Sequence, residues 1–184
     1  MVTILSLWLP ILVAAVLVFI VSSIIHTLLP YHRSDFGPVP DEGAVRAGLS
    51  GVPPGDYVVP HAASNEERRT EEFKAKIEEG PVAFMTVLPR GQLTMGASLV
   101  QWFLYCVLVG VFAAYLAGRT LGPGAEYLTV FRFSGTVAFA GYGLALLQNS
   151  IWLGRRWSST LKSVFDALVY ALLTAGAFGW LWPG

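Results

Sequence analysis

Residues 4–29 read ILSLWLPILVAAVLVFIVSSIIHTLL, a run with no Asp, Glu, Lys or Arg and a single histidine. A helix advances about 1.5 Å per residue, and the hydrocarbon core of a bilayer is about 30 Å thick, so about 20 mostly apolar residues cross it. Ile4–Leu29 meets that length. It has no basic stretch ahead of it and no A-x-A site after it. It therefore reads as a retained anchor and not a cleaved leader, with Pro10 tolerated in its first turns.

Three more segments pass the same test: 97–118, 128–152 and 161–182. Lipid offers no hydrogen-bonding partners to the backbone, so segments of this kind are helices. The expected fold is an all-α membrane protein of four transmembrane helices. A small polar insert of α/β or irregular structure separates the first span from the rest. The parts are 1–29 (first span), 30–96 (insert) and 97–184 (a three-helix unit). Composition agrees, since of 184 residues 54% are hydrophobic and only 13% charged, against about 25% charged in ordinary soluble domains.

Orientation follows from Lys and Arg. The insert carries Arg33, Arg46, Arg68, Arg69, Lys74, Lys76 and Arg90, and the connection before the last span carries Arg155, Arg156 and Lys162. The opposite side has Arg119 and Arg132 alone. Cationic loops stay cytoplasmic, which places the insert inside and both termini outside. Trp102, Trp152 and Trp157 then mark the inner interface, and Trp8, Trp180 and Trp182 the outer one.

Within the insert, prolines and glycines near its start predict loop with one short helix at Asp41–Leu49. Ser64 with Glu67 is a capping box opening a clearer helix that ends at Gly80. Tyr57–Val59 and Val82–Leu88 either pair as strands or lie on the membrane. Acids outnumber bases in the insert, which disfavours a polybasic lipid-binding patch. The zero net charge excludes nucleic acid as a partner, because no basic stripe neutralises phosphates.

Close packing in lipid relies on small residues. Gly110, Ala114 and Gly118 recur at four-residue spacing in the second span, Ser134, Ala138, Gly141 and Ala145 follow one face of the third, and Ala167, Ala171 and Ala175 one face of the fourth. These faces predict a tight unit of spans two to four, with span one at its edge.

Ionisable groups inside spans are expensive and mark partners or cavities. Asp166 stands in a polar line with Lys162, Tyr170 and Thr174, and its simplest partner is Lys162 at i−4. His26, Gln148 and Asn149 are expected at similar depth. Together with Asp166 and Tyr170 they predict a polar intramembrane pocket, suited to a proton relay, a quinone or lipid headgroup, or a small polar solute. The bland alternative is hydrogen bonding that fixes the bundle. The histidines are His26, His32 and His61, with Asp35 near the second; no i, i+4 histidine pair occurs, so neither a zinc site nor any bound cofactor is expected. Cys106 lies in an apolar run and reads as a structural thiol. No C-x-x-C, H-E-x-x-H, G-x-G-x-x-G or G-x-S-x-G pattern occurs, so nothing assigns catalytic residues or an enzymatic reaction.

The runs Trp8–Val13 and Leu29–Phe36, with Pro54–Tyr57, Gly80–Met85 and Leu146–Trp152, carry a resemblance over nearly the whole chain. The sequence resembles a group of small four-span bacterial membrane proteins for which no activity is established. The resemblance implies a bacterial inner-membrane setting and transfers no functional residue. Three functions remain open on sequence. One is a non-enzymatic subunit or scaffold whose partners are lipids and other membrane proteins or copies of itself. The others are a small oligomeric transporter or proton-coupled channel component, and a quinone- or cofactor-binding redox subunit.

Overall fold

The computed structural model describes residues 1–91 and 95–184. They form two compact units, one of 1–37 with 94–184 and the other of 38–93. Residues 30–37, placed with the insert on sequence, are part of the helical unit.

The helical unit contains four helices long and apolar enough to cross a membrane. The first is a short 3-10 turn, Ile4–Leu7, running into α1, Trp8–Leu28. After the insert come α5, Met95–Thr120, and α6, Tyr127–Tyr142. A 3-10 turn, Leu144–Leu146, joins α6 to α7, Leu147–Leu153. The last helix is α8, Trp157–Trp180. The third apolar segment is thus two helices with Gly143 at the joint. A Cβ built there would stand 3.0 Å from the Cβ of Ala167 on α8, so glycine permits the close approach. Gly154 ends α7 in the left-handed conformation that glycine adopts without penalty.

Around the bundle the order is α1, α5, α6, α8, with α8 returning onto α1. This corrects the expectation of a three-helix unit with the first span at its edge. α1 buries Ile11, Ala14, Ala15, Val18, Ser22 and Ile25, one helical stripe, and turns Leu12, Val16, Leu17, Ile20 and Ile24 outward. The small residues of α5 serve this contact. A Cβ on Gly110 would meet Ile11, one on Gly118 would meet Val2 and Leu7, and Ala114 is buried beside the same residues. Gly141 instead faces Val109 of α5, and Ala145, expected on a packing face, is exposed. Ala167, Ala171 and Ala175 are all buried on α8.

The second unit contains α2, Glu42–Leu49; β1, Gly55–Val59; α3, Asn65–Arg68; α4, Glu71–Glu79; and β2, Ala83–Val87. The two strands pair antiparallel, from Gly55 opposite Val87 to Val59 opposite Ala83. Asp41 caps α2 by accepting from the Ala44 N–H. Half of the expected capping box is present: Ser64 Oγ accepts from Glu67 N–H, while Glu67 Oε2 reaches one residue further back and accepts from Ala63 N–H. The helix it opens stops at Arg68, because Thr70 supplies a second cap to Phe73 and starts α4 afresh.

Candidate functional site

Pro30 organises the site. A residue ahead of proline is pushed towards extended backbone, and Leu29 takes that conformation, ending α1. Pro30–Ser34 then forms a 3-10 turn, closed by the Asp35 N–H donating to the His32 carbonyl. The turn directs Tyr31 and His32 onto the middle of α8.

There they meet Asp166, whose exposure is only 2%. Tyr31 donates its hydroxyl hydrogen to Asp166 Oδ1. His32 Nε2 lies 2.7 Å from Asp166 Oδ2, and His32 Nδ1 lies 2.7 Å from Asp35 Oδ2. Carboxylates only accept hydrogen bonds. A neutral imidazole carries one N–H, so these two contacts together hold one further proton. His26, near the end of α1, stacks on His32 with ring centroids 4.7 Å apart and planes 12° from parallel. Its Nδ1 lies 3.0 Å from the Ser22 carbonyl oxygen. That oxygen only accepts, so Nδ1 bears the hydrogen and Nε2 of the neutral ring is an unprotonated lone pair.

Lys162 completes the arrangement. Its ammonium donates to the Tyr31 carbonyl at 2.6 Å, Ser34 Oγ at 2.8 Å and Asp35 Oδ1 at 3.0 Å. The expected i−4 pair with Asp166 is replaced by this contact with Asp35, because the turn brings a carboxylate and two neutral oxygens to the ammonium. Burial alone would raise the Asp35 pKa, but hydrogen bonds from His32 and Lys162 and their positive charge bring it down to about 2. The Tyr31 hydroxyl is pushed the other way, by burial first and then by Asp166 and Asp35, whose negative charge opposes formation of a phenolate.

Of the residues expected in a polar pocket, the structure joins His26 and Asp166. Tyr170, the next turn of α8, is buried but faces an aromatic cluster with Trp102 and Tyr142, with centroids 5.8 and 5.7 Å away. Its hydroxyl is buried without a hydrogen-bond partner among the described residues. Trp102, read as an interfacial anchor, is half-buried and donates to Ser22 Oγ at 2.8 Å. Gln148 is exposed and Asn149 half-buried, both on α7. Among the described residues no side-chain hydrogen bond joins either of them to Asp166.

Tyr31, His32 and Asp35 are the participants that sequence reasoning left in the insert. The i, i+3 spacing of His32 and Asp35 was visible there. Their convergence on Asp166, across more than 130 residues of chain, was not. The arrangement places two carboxylates, two imidazoles, a phenol and an ammonium in one partly buried cluster, able to hold a positive charge between carboxylates. Comparison with known protein families, with curated proteins and with solved structures returns no match.

Proposed function

We propose that this chain is a small polytopic protein of a bacterial inner membrane. It acts as a non-enzymatic subunit or scaffold that assembles with other membrane proteins or with copies of itself. The unit 38–93 lies on the cytoplasmic face in this reading, following the Lys and Arg distribution. The supporting observation is how the charges of the helical unit are used. Lys162 gives all its hydrogens to the turn 31–35, and His32 bridges Asp35 to Asp166. Ionisable groups spent on one another in this way fasten one helix to another and hold the anchor of a folded polar unit in one arrangement.

Native mass spectrometry of the protein, gently extracted from its own membrane, tests this reading. The expected result is a stable complex with other proteins, or a defined homo-oligomer. A partner-free monomer that retains a small organic molecule would overturn it and favour a carrier or a cofactor-binding subunit.

A further inference from the structure

One ligand atom from each of His26, His32 and Asp166 lies within 4.8 Å of the others. The geometry points to a binding site for a divalent transition-metal ion at this cluster, held by two imidazole nitrogens and one carboxylate oxygen.

Each ligand is oriented from behind. The Ser22 carbonyl fixes Nδ1 of His26, Asp35 fixes Nδ1 of His32, and the Tyr31 hydroxyl fixes Oδ1 of Asp166. Metal-binding histidines characteristically donate their other ring N–H to a carbonyl or carboxylate, which sets the tautomer and turns the lone pair towards the ion. Both histidines here have such a partner, of the two different kinds.

The rings of His26 and His32 stack with planes 12° from parallel. An ion lies in the plane of each imidazole that binds it, so His26 must turn out of the stack to aim its Nε2 at the ion. The other dimensions suit a first-row ion. With metal–nitrogen and metal–oxygen distances of about 2.0–2.2 Å, neighbouring tetrahedral ligands stand about 3.3 Å apart. His32 Nε2 and Asp166 Oδ2 are 2.7 Å apart, so they would separate by about half an ångström to admit an ion at about 2.0–2.2 Å. The ion takes the place of the proton that this contact otherwise holds. Two nitrogens and one oxygen favour zinc, iron(II) or cobalt(II) over calcium and magnesium, which take oxygen ligands. His26 is the exposed member of the three and Asp166 the buried one. The ion therefore enters past His26, and a solvent molecule fills the fourth position. Bound there, it ties α1, the turn 30–34 and α8 together. Metal binding and assembly with partners are separate properties, and either stands without the other.

The test uses the full, untagged chain in lipid nanodiscs, stripped by a chelator and titrated with Co2+. One Co2+ per chain is expected, with visible ligand-field bands that Zn2+ abolishes by displacement. His26→Gln should weaken uptake by at least about tenfold, since even the loss of an outer-shell partner costs roughly 10–100-fold. This variant loses the stack on His32 and the bond to the Ser22 carbonyl. It keeps the contacts of His32 with Asp35 and Asp166 and those of Tyr31 and Lys162. Without metal it should therefore still unfold in one transition, at most slightly earlier than the metal-free parent. Asp166→Asn should also lose binding, and His61→Ala, in the other unit, should bind as the parent does. A folded parent protein that takes up no Co2+, or a His26→Gln variant that binds it as tightly as the parent, overturns the site.

Discussion

The Lys162 ammonium lies 3.0 Å from Asp35 Oδ1, across the gap between α8 and the turn that follows α1. One turn further along α8, Asp166 receives Tyr31 and His32 from the same turn. The turn is therefore fastened twice to one helix, by a cation donating outward and by a carboxylate accepting inward. Asp35 is shared between the two fastenings because one of its oxygens faces Lys162 and the other His32.

Removing the cation tests this coupling. Lys162→Met keeps the aliphatic stem and leaves Asp35 with His32 as its one remaining partner. The side chain of Asp35 is 5% exposed and that of Lys162 24%, so water replaces the lost contacts only in part. We expect a loss of about 2 kcal/mol in unfolding free energy, in the range for hydrogen bonds to charged groups. Lys162→Arg should recover part of it. Equilibrium unfolding in detergent measures both, and a Met variant as stable as the parent would remove the clamp.

The Tyr31 hydroxyl is a smaller deletion with a sharper reading. Tyr31→Phe retains the ring, which lies 4.3 Å from His32 between centroids, and takes away one donor to a buried carboxylate. The expected cost is about 1.5–3 kcal/mol. Tyr115→Phe, at an exposed phenol on α5, should stay within about 0.5 kcal/mol of the parent. Equal effects from the two substitutions would mean that the Asp166 contact contributes nothing of its own.

The four apolar helices were legible because length and hydropathy alone determine them, and the observed bounds fall within a few residues of those read from sequence. The Ser64 cap was legible for a similar reason, since it acts on an N–H three residues away. Thr70 caps over the same distance but was not read, because the charged run around it continues the helical pattern. What periodicity could not supply was the partner of each face. Gly110 and Gly118 announce a close approach, yet nothing local says that Ile11 and Val2 are what approaches. The cluster at Asp166 was hidden for a second reason. His32 and Asp35 sit just past a helix-ending proline, where a chain ordinarily leaves the bundle, and only the direction of the turn returns them to it.

Topology can be read with the chain's own chemistry. Cys106, the single cysteine, is buried to 1% exposure, so the parent is close to silent towards a membrane-impermeant maleimide. Cysteines placed singly at Glu78 and Gly184, both exposed, then report one side each. With the insert cytoplasmic and the C-terminus outside, Gly184→Cys should label in intact cells and Glu78→Cys only after permeabilisation. The reverse pattern would invert the orientation drawn from Lys and Arg.

Glycine-to-alanine substitutions in the helices should separate by what the new methyl meets. At Gly118 it would stand 2.5 Å from the Val2 carbonyl oxygen, a backbone atom, and the Gly118 carbonyl already accepts from Val2 N–H at 2.8 Å. Neither strand of chain can rotate away, so the N-terminal turn must shift, at a cost of about 1–3 kcal/mol for overpacking. At Gly110 the nearest atom is Ile11 Cγ2 at 3.2 Å, the tip of a side chain that yields by a few tenths of an ångström, so the loss should be smaller. At Gly176 no atom lies within 4 Å of the new methyl. There the higher helix propensity of alanine acts alone, by up to about 1 kcal/mol in favour of the folded helix. The expected order of stability is therefore Gly176→Ala above the parent, Gly110→Ala somewhat below it, and Gly118→Ala lowest. Thermal unfolding in one detergent gives the ranking directly. A Gly118→Ala variant as stable as Gly176→Ala would mean that the N-terminal turn does not rest on α5, and the packing of α1 against that helix would have to be redrawn.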